Sequence, residues 1–180
     1  PTGTPLPMLL LLLDYWPLRR LSWKGALEKI PFFAVAAVSA VITVLSTRNN
    51  AGVTMPVAAD WLKMPLKIGY LNAFYLGKIA WPSRLSSLYE MPDPMSLSNP
   101  WVVAGVLVTA VVLIAAVISL RWTRAVLVGW LFFFLAILPT LGVIGYSWVN
   151  ASDKYAYLPA IGLLLPLAAL LDRCMSVFFA

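Results

Sequence analysis

Two long apolar runs, 100–120 and 125–146, flank Arg121-Trp122-Thr123-Arg124, and no other feature restricts the fold so strongly. Each run is close to the ~20 residues that a helix needs to cross roughly 30 Å of hydrocarbon. The apolar residues come in blocks rather than in alternation. This selects helices over a lipid-facing barrel, because a helix satisfies its own backbone groups within one segment. The chain is 62% hydrophobic and 11% charged, with mean hydropathy +0.88, which places it among integral membrane proteins. The expected fold class is all-α, a polytopic bundle of about four to five membrane helices plus interfacial helices, forming a single membrane domain over 1–180.

Further segments follow from the same reasoning. Met8 to Leu13 reads as the end of a membrane helix, and Asp14-Tyr15-Trp16-Pro17 marks an interface with aromatics at headgroup level. Arg19, Arg20, Lys24 and Lys29 alternate with Leu18, Leu21, Trp23, Leu27 and Ile30, which predicts a basic interfacial helix over 17–30. A span is expected over 31–47, with Ala36, Ala40 and Thr43 on one face for close packing. Residues 48–58 read as a loop containing Asn49, Asn50, Gly52 and Pro56. The segment 59–81 is helical in pattern, but Lys63, Lys67 and Lys78 bracket a short uncharged stretch. It is expected to be interfacial or re-entrant. Pro139 is expected to kink the 125–146 span. A last span over 155–171, interrupted by Pro159 and Pro166, is expected to end at Asp172-Arg173, with Met175 to Ala180 opening another apolar segment. The start at Pro1-Thr2-Gly3 reads as that of a fragment of a larger domain.

The 13 Lys+Arg against 7 Asp+Glu give +6. The basic residues sit at segment ends, where they face lipid phosphates, so the partners expected are the bilayer and other membrane helices or missing parts of the same protein, not nucleic acid. The lack of histidine and the single cysteine, Cys174, exclude an internal disulfide and His- or Cys-cluster metal sites. The short basic loop 121–124 is expected to be cytoplasmic, which puts Asp153 and the Pro-rich loop 82–99 on the opposite face.

Asp153-Lys154-Tyr155-Ala156-Tyr157-Leu158-Pro159 is the segment most able to carry chemistry. A carboxylate, an ammonium and two phenols at a membrane edge are costly unless partnered, and mark a functional site by default. Lys154 supplies a point charge for an anion and the phenols hydrogen-bond. Against this stands a plain reading: Asp153 caps a helix, Lys154 snorkels, and Tyr155 and Tyr157 join an aromatic belt. Lys63, Lys67 and Lys78 share a helical face, and Lys78 and Arg84 are further phosphate candidates, with headgroup contact as the alternative. Asp60, Glu90, Asp93 and Asp153 are the outward carboxylates, none singled out as a base. Asn150-Ala151-Ser152 fits the glycosylation acceptor pattern.

The run D-K-Y-A-Y-L-P, followed by Ala160-Ile161-Gly162, resembles a D-R-Y-x-Y-L-P-x-x-G segment of the transmembrane-and-tetratricopeptide-repeat O-mannosyltransferases and their bacterial relatives. L-L-D-Y-W-P-L at Leu12 to Leu18, E-K-I-P-F-F-A at Glu28 to Ala34, Y-L-G-K-I-A-W-P at Tyr75 to Pro82 and V-G-W-L-F-F-F-L-A-I-L-P at Val128 to Pro139 resemble the same family, in the same order. The resemblance implies the C-terminal half of a GT-C membrane domain in a bacterial inner membrane. Such a domain takes a sugar from a polyprenyl-phosphate donor, without a cofactor, and delivers it to an acceptor such as a protein Ser or Thr. It also implies donor contacts at Asp153, Lys154, Tyr155, Tyr157, Lys78 and Arg84. Lys154 stands where the family has Arg, which loses bidentate phosphate recognition. The family's acidic loop and its repeats lie outside this sequence, so no catalytic residue is assigned. The alternative is a non-catalytic accessory subunit of a larger membrane complex. A transporter part is a weaker third reading, since no inverted repeat accompanies the broken last span.

Overall fold

Where the apolar blocks fall, helices form. The computed structural model describes residues 3–49, 58–141 and 151–178, with side chains described over 3–46, 63–141 and 151–176. The helices are α1 (Leu6–Tyr15), α2 (Trp23–Leu27), α3 (Ile30–Asn49), α4 (Ala58–Ala80), α5 (Pro100–Ile118), α6 (Ala125–Ile137) and α7 (Tyr157–Phe178). Among the described residues the β contribution is one isolated bridge, Tyr89 to Ala151. Trp23–Ser46, Pro100–Arg121 and Tyr157–Ser176 are long and apolar enough to cross a membrane, while Leu6–Tyr15 and Ala125–Thr140 are shorter apolar helices. The protein is an all-α, integral membrane protein.

The best-ordered expectations concern α5 and α6. Asn99 caps α5 by accepting the Trp101 N–H at 3.0 Å, and Pro100 takes the first helical position, where a missing N–H leaves no bond unmade. α6 gives way to a 3₁₀ turn at Leu138–Thr140, because Pro139 has no N–H for the α-helical ladder. Residues 142–146 of that expected span lie outside the described residues, as do Asn50, Gly52 and Pro56 of the expected loop, Asn150 of the acceptor pattern and the Asp60 side chain.

Two of the expected boundaries are wrong. The basic helix over 17–30 is only Trp23–Leu27, capped by Ser22 accepting the Gly25 N–H at 3.1 Å. The chain before it turns back instead, with Arg20 N–H donating to Asp14 O at 2.9 Å. The last span does not stop at Asp172-Arg173. α7 runs through them to Phe178, and Met175 belongs to its end rather than to a new segment. Arg173 is tolerated there because its guanidinium donates to Trp122 O at 2.7 Å. Pro159 lies in the first turn of α7, where it breaks nothing, and Pro166 lies within the helix.

Two antiparallel helix pairs make the core. α6 and α7 cross at Gly129 and Gly162, whose missing side chains let the backbones approach. α4 lies antiparallel on α5, Gly69 against Val106 and Gly105 against Tyr70, with Thr109 Oγ1 donating to Gly69 O at 2.7 Å. Leu71, Tyr75, Ala116, Trp130, Phe133, Ile137 and Leu141 join the two pairs. Trp130 stacks on Phe134 with centroids 5.3 Å apart. α1 packs Leu9 on Phe132 and Ala136 of α6. Ala36 and Ala40 of α3 are half-buried, but Val35, Val38, Val41, Ile42 and Leu45 are exposed.

α1 is tied to the start of α3 by charge. Asp14, only 2% exposed, meets Lys29 at 2.9 Å and Arg20 at 2.6 Å. Lys29 is itself 6% exposed. At ten residues α1 is too short to cross a membrane. The Arg20 guanidinium first, and the Lys29 ammonium second, hold the Asp14 carboxyl below the ordinary carboxylate range.

Candidate functional site

One end of the bundle carries α4's C-terminus, the loop 81–99, the start of α5 and the segment leading into α7. The geometry begins with Tyr75, fully buried on α4. Its oxygen accepts the Ser152 N–H at 3.0 Å and its O–H donates to Ser152 O at 3.3 Å. Both backbone groups of Ser152 are thereby satisfied away from water. One turn below, Asn72 is buried as well, and its carboxamide has no partner among the described residues.

Asp153 follows at the start of a short 3₁₀ turn, Asp153–Tyr155. It does not cap α7. Its Oδ2 accepts the Ser86 N–H at 2.5 Å and faces the Tyr89 O–H at 2.7 Å, while its own N–H donates to Ser86 O at 3.2 Å. Tyr89 N–H donates to Ala151 O at 3.0 Å. The segment 151–153 therefore grips the loop 83–89 from one side. Lys78 grips it from the other: its ammonium donates to Ser83 O at 2.7 Å and Arg84 O at 3.1 Å and lies 4.7 Å over the Tyr89 ring. The Tyr89 hydroxyl is also 2.9 Å from Arg84 O. Arg84 has φ 49, a conformation that a non-glycine residue holds only when its surroundings impose it. The bonds to its carbonyl do so.

The six residues singled out from the sequence thus share one end but have different jobs. Asp153 and Lys78 bind backbone and hold the loop. Tyr155 is half-buried against the core. Lys154, Arg84 and Tyr157 are exposed, with Lys154 lying 5.3 Å over the Tyr155 ring. Lys154 is adjacent to Asp153, and Arg84 is two residues from Ser86, so the Ser86–Asp153 bonds bring the two exposed cations to one edge. Lys63 is exposed and Lys67 half-buried on α4, further from this edge along the helix. Glu90 and Asp93 are exposed in the loop. Among the described residues no group of three or more His, Cys, Asp or Glu comes together. Sequence reasoning missed the roles of Tyr75, Ser86 and Tyr89; the local signal for Tyr75 was a phenol in the short uncharged stretch of α4, which also holds Tyr70 and Asn72.

No family model, curated protein or solved structure matches the chain.

Proposed function

We propose that this chain is part of a GT-C-like glycosyltransferase of a bacterial inner membrane, and that its Asp153 end receives the phosphate of a polyprenyl-phosphate sugar donor. The observation that carries this reading is the clamped loop: Asp153 and Lys78 fix the backbone around Arg84, leaving Arg84 and Lys154 as exposed cations at one end of the bundle. Preorganised cations suit a phosphate whose polyprenyl tail stays in the bilayer. The acceptor proposed is a hydroxyl such as that of a protein Ser or Thr, and no catalytic carboxylate is assigned in this chain.

The test is binding of a short-chain polyprenyl monophosphate to the protein in nanodiscs. Arg84→Ala with Lys154→Ala should weaken binding about tenfold or more, since a charge-assisted hydrogen bond contributes about 1.5–3 kcal/mol. Unaltered affinity in the double variant would remove the reading. An accessory-subunit role is the second reading, favoured by the exposed apolar surface of α3, which is suited to packing on other membrane helices. Stoichiometric copurification with a larger assembly, and no donor binding, would select it.

A further inference from the structure

The opposite end of the bundle holds a second polar feature that the donor reading does not use. Where α5 hands over to α6, a cleft of about 620 Å³ is lined by Trp16, Arg19, Leu120 to Arg124, Ala169, Asp172 and Arg173. Three separate parts of the chain supply its arginines: Arg19 from the segment after α1, Arg121 and Arg124 from the interhelical turn, and Arg173 from α7. Four guanidiniums thus face one carboxylate, Asp172. Among the described residues the ion pairs involve Asp14, Arg20, Lys29 and Glu28, and none of these four arginines. Arg173 donates to a carbonyl, Trp122 O, and Arg124 lies 5.6 Å over the Tyr15 ring. Those contacts orient the guanidiniums without neutralising them. Gathering four like charges at the end of an apolar bundle is unfavourable by itself, and an anion in the cleft reverses the sign of that term.

The surroundings indicate which anion. In the lining, Trp122 is 70% exposed and Leu120, in the turn after α5, is exposed as well; Leu170 and Leu171 are exposed next to the cleft on α7. An indole at headgroup depth with bare leucines beneath is a surface for acyl chains, and the guanidinium fork matches phosphate oxygens. We infer that this cleft binds the headgroup phosphate of an anionic membrane phospholipid, with the acyl chains lying along α5 and α7. The site is separate from the Asp153 end, and its occupancy is independent of any sugar transfer.

The test uses the purified chain in a neutral detergent, titrated with short-chain phosphatidylglycerol, with phosphatidylcholine and inorganic phosphate as the other arms, and read by native mass spectrometry and thermal shift. Saturable binding of phosphatidylglycerol is expected, at least tenfold tighter than either comparison ligand. Arg121→Gln with Arg124→Gln should weaken it tenfold or more. Asp172→Asn removes the opposing charge and should tighten it severalfold, a gain that misfolding cannot imitate. Lys24→Gln, an exposed charge outside the cleft, should leave affinity unchanged. Equal binding of phosphatidylcholine, equal binding of inorganic phosphate, a Lys24→Gln loss as large as the arginine loss, or no gain in Asp172→Asn would each overturn the assignment.

Discussion

Replacing Gly129 with leucine is expected to separate α6 from α7 and to destabilise the protein by about 3 kcal/mol or more. A Cβ at Gly129 would stand 2.5 Å from Gly162 O and 2.6 Å from Pro166 Cδ; one at Gly162 would stand 2.6 Å from Gly129 O and 2.7 Å from Phe133 N. These are backbone atoms and a ring, which no rotamer change moves aside. The helices must part, and the buried contacts of Val128, Phe132 and Phe133 open with them. In a bilayer little else holds them, since lipid tails are as apolar as leucine and association depends on close packing. Gly162→Leu should behave alike. Gly77→Ala is the control, because its Cβ would meet nothing within 4 Å. Unfolding in mixed detergent reads all three. A Gly129→Leu protein that unfolds with the wild type would show that the helix crossing is wrongly placed.

The second large effect is expected at Asp14 and Lys29. Each is buried and each is the other's ion-pair partner. Asp14→Leu leaves the Lys29 ammonium enclosed without its carboxylate, and Lys29→Met leaves Asp14 with Arg20 alone. Removing one member of a buried pair is far more damaging than removing both, because the residual charge stays desolvated. Each single variant should therefore lose more stability than Asp14→Leu combined with Lys29→Met, and the cycle should not add. The pH dependence follows from the lowered carboxyl of Asp14. A group whose folded pKa is depressed stabilises above its ordinary value, here 3.8, and loses that contribution as pH falls through and below it. The clamp should be insensitive to pH from about 5 to 8 and weaken only in strong acid. Additive single variants would show that the two side chains do not meet.

How much of this was legible depended on how local each cause is. α5 was readable to within two residues because its apolar length is local. Pro139 was readable as a break in the 125–146 run but was expected only to kink it, whereas α6 stops at Ile137 and gives way to a 3₁₀ turn. α7 was misjudged because the residue that lets Arg173 stay helical is Trp122, which lies 51 positions away. The basic stretch 17–30 was misjudged for a related reason: Arg20 and Lys29 pattern as a cationic stripe, yet they converge on Asp14. At the Asp153 end the residues were visible but their roles were not. Asp153 has the pattern of a cap, whereas its carboxylate holds Ser86 and Tyr89, 67 and 64 positions earlier. Gly129 and Gly162 carried a readable signal, glycine inside an apolar helical run, and it went unused.

The central claim is that the Asp153 end and the arginine cleft lie on opposite faces of the bilayer. Cys174 is the chain's single cysteine and can be replaced by serine, after which Thr123→Cys and Lys154→Cys are each probed in intact cells with a membrane-impermeant maleimide. Labelling at position 154 before permeabilisation, and at position 123 only after it, is the predicted result. Labelling of both from the same side, or in the reverse order, contradicts the account.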